Sequence, residues 1–298
     1  APEAHLHPNS QRTLYRQLSE IEGQVIVSTH SPYIVGAADV SEIRVIQNND
    51  GKTTVFQLSD NWTDEELRKL QREVVHSKGE LFFSKAIVLS EGETEEQVLP
   101  VLFEHYFEYD PYTMGINFVG VGGNGARYLP YFKFANELGI PIFVFSDGEL
   151  RVVNELKKYY EIVFGVGSFN GASNIQILDN TDFEGYLFEN GYEGVIENAI
   201  TAVGEDKVDH WMSSRQGSKK GQRKVPDSRC DTCEQDSRED VLRDYSIEGG
   251  RRMAMKEILD SSKPKYAAAI VAEFCTRPAD EMPSKVKDLF NSIKTTLS

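Results

Sequence analysis

The sequence predicts an α/β fold: a mainly parallel sheet with helices on both faces, interrupted by a helical insertion. Three observations carry this. Short apolar runs recur at residues 86–89, 114–123, 142–145 and 173–178, and runs of this length bounded by turn residues read as buried strands. The first three are each followed by a segment of helical period, over residues 94–106, 126–139 and 151–160. Regular strand–helix alternation at this spacing calls for parallel neighbours joined by crossovers.

The elements follow in order. Residues 9–22 form a helix with Leu14, Leu18 and Ile21 on one face, closed by Gly23. Residues 24–29 are β-branched and read as a short strand. Residues 42–58 hold two strand-like runs around a turn at 48–51, which is a hairpin signal. A linking helical segment spans 61–84. The sheet domain begins at 85 and its first part runs to 184. Residues 185–262 are a mostly helical insertion, and its centre is rich in charge and glycine with no apolar period, which reads as a flexible basic loop. Residues 263–298 return to the sheet domain as an apolar helix and a final helix.

Composition excludes some functions. The chain has 298 residues and a net charge of −15. That argues against a basic coat for nucleic acid, though carboxylates that hold metals count as bare charge until the metals arrive. No apolar stretch reaches the length of a membrane span, and residues 1–11 lack the basic and apolar regions of a secretory signal. Three cysteines make no disulfide framework. A reducing, cytoplasmic setting without membrane contact is the expectation.

The acidic residues are not scattered. Glu91 follows the first strand of the sheet domain and Glu95 lies in the next helical turn. Asp147 and Glu149 follow the third strand, with Gly148 between them. Asp182 and Glu184 follow the fourth. Taken singly, each pair has a structural reading, because Asp and Glu favour first helical turns. In a parallel sheet, however, all these strand ends share one edge, where ligands bind. Oxygen donors suit Mg²⁺ or Mn²⁺, and two such ions would clamp the attacking and leaving oxygens of a phosphodiester.

The phrases "VLSEGETEE" and "VFSDGE" resemble the Toprim nuclease/topoisomerase fold, and more closely the Toprim domain of OLD-family (overcoming lysogenization defect) nucleases. That group includes the nuclease subunit of Gabija-type defence. The resemblance covers about residues 85–185 and 263–275. It implies that Glu91 is a metal ligand or general base and Glu95 a metal ligand. It places Asp147 and Glu149 at an Asp-x-Asp element, from which Glu149 departs. It matches Glu184 to a later acidic element and Lys263 to a late catalytic lysine, with Lys265 as a rival.

The first residues tell a second story. "PEAHLHP" and "STHSP" resemble the end of an ABC-type ATPase head, with His7 in the D-loop and His30 as the switch histidine. Residues 1–60 would be the C-terminal fragment of such a domain. No GxxxxGK[ST] loop occurs in the chain, so ATP belongs to a longer parent protein and this chain alone should not hydrolyse it. Three weaker signals remain. The turn at Gly122, Gly123 and Asn124 suits a phosphate's approach to backbone N–H groups. Cys230 and Cys233 have zinc-like spacing without a second pair. Arg215, Lys219, Lys220, Arg223 and Lys224 form the strongly basic run, a candidate for DNA phosphate contacts or a solvated loop.

The leading expectation is a metal-dependent DNA endonuclease domain of an ATPase–nuclease in prokaryotic anti-phage defence. Its partners would be DNA, a helicase-like or other defence protein, and further copies of itself. The alternatives are a topoisomerase- or primase-like enzyme, and a cation-binding regulatory or assembly module with no catalysis.

Overall fold

The computed structural model describes residues 3, 5–49, 51–122, 127–179, 181–229 and 236–298. They form two compact units: Ala1–Asp182 with Met282–Ser298, and Phe183–Glu281. No helix among the described residues is long and apolar enough to cross a membrane.

The first unit opens with helix α1, Pro8–Ser19. Proline suits its first turn, and His7 caps it by accepting the Asn9 N–H through Nδ1 at 3.3 Å. The expected strand at 24–29 does not form. These residues carry no regular secondary structure, among the described residues no strand pairs with them, and Ile26 is 87% exposed. A β-branched segment becomes a strand only when another chain segment takes its N–H and C=O groups. A one-turn helix α2, Pro32–Val35, follows, capped by the Ser31 hydroxyl.

The expected hairpin is present: β1, Val45–Asn49, pairs antiparallel with β2, Lys52–Phe56. Helix α3, Asp64–Leu70, starts on a capping box between Thr63 and Glu66. Its chain continues as a π turn over Gln71–Val75 and a 3₁₀ turn over Gly79–Phe83.

Then comes the four-stranded sheet. It contains β3 (Ala86–Ser90), β4 (Ile116–Gly120), β5 (Ile142–Ser146) and β6 (Ile175–Ile177). Their order is β4-β3-β5-β6 and all neighbours are parallel. Helix α4 (Glu93–Phe107) follows β3, α5 (Tyr128–Glu137) follows β4, and α6 (Leu150–Phe164) follows β5. Side chains alternate across a strand. Ile87, Leu89, Val119 and Val144 join Phe132, Leu156 and Tyr160 of α5 and α6 in one core. On the opposite face Phe118 meets Phe103 of α4, and Phe103 packs edge-on against Phe290 at 5.1 Å. Phe290 belongs to α12, Ser284–Leu297. This helix also anchors beside β6, where Ser292 Oγ donates to Ser173 O at 2.8 Å.

The second unit holds α7 (Phe183–Glu189), α8 (Glu193–Val203), α9 (Lys207–Arg215), α10 (Gly250–Asp260) and α11 (Lys263–Cys275). Two expectations need correction. Helix α11 belongs to this unit, packing against α8 and α10, and the chain returns to the sheet unit only at Met282. The insertion's centre is not an open loop either: β7 (Lys219–Arg229) and β8 (Asp236–Leu242) make an antiparallel hairpin. Cross-strand charge pairs hold it together: Lys219 with Asp240 at 2.7 Å, and Arg223 with Glu239. Cys230 and Cys233 lie outside the described residues.

Candidate functional site

Parallel pairing brings the strand ends level. Ser90 at the end of β3 stands beside Gly120 of β4 and Phe145 of β5, and Ser146 stands beside Ile177 of β6. Backbone bonds carry this alignment into the loops. Val121 N–H donates to Ser90 O at 2.8 Å and Gly122 N–H to Glu91 O at 3.0 Å. On the other side Gly148 N–H donates to Thr181 O at 3.0 Å. The acidic loops after β3 and β5 are therefore built on one edge.

Each carboxylate has its own setting. Glu91 is half-buried and accepts a hydrogen bond from the Asp147 backbone N–H. Its carboxyl is pushed above the usual glutamate range, first by burial, then by the negative charges of Glu149 and Glu155, with the Asp147 N–H pulling the other way. Its Oε2 is buried and accepts no hydrogen bond among the described residues. Glu95 is 4% exposed in the first turn of α4, at the positive end of the helix dipole. Gly92 makes room for it: a Cβ at that position would collide with the Glu95 carboxylate. Asp147 is half-buried, and Glu149 is exposed as the N-terminal cap of α6. Asp182 follows β6 and accepts from Thr181 Oγ1 at 3.5 Å.

The remaining candidates lie in the second unit. Glu184 is buried in the first turn of α7, and its Oε2 lies 3.9 Å from Lys263 Nζ at the start of α11. Lys265 sits two residues on in that first turn and is exposed. In the basic run, Lys220 pairs with Glu257 at 3.3 Å and Arg215 stacks over Trp211 at 3.7 Å. With Lys219 and Arg223 also paired, much of this run's charge is balanced within the unit. Lys224 lies in β7, facing Arg238 of β8 in the strand register. Of the histidines, His7 serves as a helix cap and His30 rests against Phe83 with ring centroids 6.0 Å apart.

Two residues beside the acidic loops carried no signal in the sequence reading. Arg127 holds its guanidinium against the loop after β4, donating to Val121 O at 3.3 Å. Tyr128, the first residue of α5, is buried, and burial together with the charges of Glu91, Asp147 and Glu95 keeps its phenol protonated. An aromatic residue at a helix start reads in sequence as packing, so the direction of its hydroxyl is not legible there.

The donors are hard carboxylate oxygens, the donor type that Mg²⁺ and Mn²⁺ take, and Glu91 Oε2 accepts no hydrogen bond among the described residues. As oriented, no three Asp, Glu, His or Cys side chains among the described residues stand close enough together to hold an ion.

Comparison with known proteins finds family models for two parts of the chain. Residues 82–148 match the family model for the Overcoming lysogenization defect protein-like TOPRIM domain, and residues 1–36 match an AAA domain model described as a putative AbiEii toxin of a Type IV toxin–antitoxin system. The chain is 22% identical over 242 residues to Endonuclease GajA of Bacillus cereus (strain HuB5-5), covering 72% of this chain and 34% of that protein. It is 31% identical over 156 residues to the Old nuclease of Escherichia phage P2, covering 49% of this chain and 26% of that one. It thus spans well under half the length of both. Among solved structures, the C-terminal region of the Burkholderia pseudomallei OLD protein superposes with a TM-score of 0.46 at 16% identity, over 72% of this chain and 100% of that one.

Proposed function

We propose, from the premise that this chain carries an OLD-like TOPRIM domain behind an AAA-type segment, that its strand-end carboxylates hold Mg²⁺ or Mn²⁺ and that it cleaves DNA phosphodiesters. The observation that supports this most is the Glu91 carboxylate: half-buried, lacking a donor to Oε2, and crowded by Glu149 at the carboxyl edge of a parallel sheet. Its relatives named as nucleases point the same way.

Glu91, Glu95, Asp147 and Glu149 are the ligands in this reading, with Asp182 and Glu184 as further acidic candidates and two ions as the expected number. A cation held there would polarise water and neutralise a phosphodiester. Glu91, with its raised carboxyl, is suited to take up the proton of an attacking water. The Asp147 N–H would hold Glu91 in orientation. Lys263, with Lys265 as the rival, would stabilise charge on the leaving group. Arg127 and the basic run of Arg215, Lys219, Lys220, Arg223 and Lys224 would contact phosphates without reading bases. A place in anti-phage defence fits the relatives, and ATP would act in a longer parent protein.

The alternative is a cation-binding module without catalysis, in which the same carboxylates hold an ion that activates no water. Nicking of supercoiled plasmid in Mn²⁺ decides between them. Cleavage that Glu91→Gln abolishes and Lys263→Ala lowers by about 10²-fold is expected. Absence of metal-dependent cleavage by the wild-type chain would favour the module, and cleavage by Glu91→Gln at the wild-type rate would remove Glu91 from the chemistry.

A further inference from the structure

Three cations of the second unit stand along one side of α7. Phe188, near the end of that helix, is buried. Two side chains of α10 lie against its ring: Arg252, with its guanidinium carbon 5.2 Å from the ring centroid, and Lys256, with its ammonium at 5.7 Å. They are four residues apart, neighbours on one face of α10. Arg252 is fixed further by donating to Phe188 O. One turn back along α7, Glu184 Oε2 has Lys263 Nζ at 3.9 Å. Residues i and i+4 of a helix share a face, so the partners of Glu184 and Phe188 line up on that face.

These cations differ from the basic run at 215–224 in how their charge is balanced. In the hairpin region Lys219, Lys220 and Arg223 are each paired with a carboxylate. An aromatic ring face orients a cation without neutralising it. Lys256 is exposed and pairs with no carboxylate among the described residues. Arg252 reaches Glu193 only at 4.0 Å and keeps 40% of its side chain exposed, and Lys263 keeps 45%. Held on a buried ring and a backbone carbonyl, the α10 cations have less freedom left to lose when an anion arrives. A nucleic-acid strand repeats its phosphates every few ångströms, and the cations along α7 are set one helical turn apart, about 5.4 Å.

We infer that Arg252, Lys256 and Lys263 form a phosphate track along α7, on which one strand of DNA is held by its backbone without base reading. This rests on the reading of the chain as a DNA-cleaving protein and names the surface of the second unit that takes the substrate. Arg252 and Lys256 are positioning residues there: they hold the strand whose backbone passes Lys263.

The test measures binding of a fluorescent DNA duplex to the whole chain by anisotropy over a range of salt, without divalent metal, and plasmid cleavage with Mn²⁺. The double variant Arg252→Gln/Lys256→Gln should bind more weakly. Its slope of log affinity against log salt should flatten by about 2, since each phosphate contact contributes about 0.9. The loss should be the same for unrelated duplex sequences. Lys157→Gln/Lys158→Gln, on α6 of the sheet unit, removes the same charge elsewhere and should keep the wild-type slope. With Mn²⁺, the Arg252/Lys256 variant should need more plasmid for its half-maximal rate, while its rate at saturation stays within about twofold of wild type. Wild-type affinity and slope in that variant would overturn the inference, as would an equal loss in the α6 variant. Should the double variant fail to fold, Lys256→Glu gives the same reading from an exposed position, and wild-type affinity there would overturn the track. Wild-type binding with the expected flattening but no cleavage would support the track and remove the proposed cutting. No duplex binding by the wild-type chain would remove both.

Discussion

Replacing Glu257 with glutamine should loosen the second unit by about 2 kcal/mol at neutral pH. Glu257 accepts hydrogen bonds from Tyr245 at 2.6 Å, Arg243 at 2.8 Å and Trp211 at 3.3 Å, and pairs with Lys220 at 3.3 Å. Burial alone would raise its pKa. The hydrogen bonds from Tyr245, Arg243, Trp211 and Lys220 more than reverse this and hold the carboxyl at about 2, against 4.5 for an ordinary glutamate. That gap corresponds to about 3 kcal/mol at about 1.4 kcal/mol per pH unit. Water still reaches the group, and screening lowers the working figure to about 2 kcal/mol. The sign follows from linkage. A carboxyl with a depressed folded pKa stabilises fully above its unfolded pKa of 4.5 and loses that contribution as pH falls toward 2. Hydrogen exchange of the α10 amides is the assay. At pH 7 the variant should exchange about 30-fold faster than wild type, and the difference should shrink steadily below pH 4.5. Equal protection at pH 7 would refute the reasoning, as would a deficit that persists undiminished near pH 2.

Two further outcomes concern the acidic loops. Gly92→Ala should weaken Mn²⁺ binding by about 10-fold with little change in melting temperature, because the new methyl displaces the Glu95 carboxylate while the backbone, at φ −105°, accepts alanine; calorimetry showing wild-type affinity would mean Glu95 is no ligand. Glu149→Gln removes one of the charges that raise Glu91, so the Glu91 carboxyl should ionise at lower pH. Because the ionised form binds cations, the acid limb of Mn²⁺ affinity against pH should move downward, and an unmoved or upward-shifted limb would separate Glu149 from Glu91.

Much of the sheet was legible because its strands are short apolar runs set between helical periods. The runs at 86–89 and 142–145 are almost wholly apolar because both faces of β3 and β5 are buried. The acidic loops were legible for a related reason: topology alone puts parallel strand ends on one edge. What failed was whatever depends on a distant partner. Residues 24–29 have strand chemistry but no neighbour among the described residues. The hairpin β7–β8 has the opposite character. Its residues lack an apolar period, and pairs such as Gln222 with Asp240 at 2.9 Å take the place of a buried face. Helix α11 was misplaced because an apolar helix face records that it packs, not on what. Tyr128 escaped notice because burial and the direction of a single hydroxyl belong to three dimensions.

The sheet unit is sewn shut out of order. Its strands are complete by Ile177, yet α12, whose Phe290 covers Phe103 on one face of the sheet, arrives only after the whole second unit has passed. Contacts of such long sequence separation form late and slowly. On a ribosome, the strands and α4 emerge with Phe103 and its aromatic neighbours Phe107 and Tyr109 still uncovered. That interval is when the nascent chain would be most open to aggregation or to a chaperone. The acidic strand-end loops rest on that sheet, so they can take up their final positions only once the closing helix has docked.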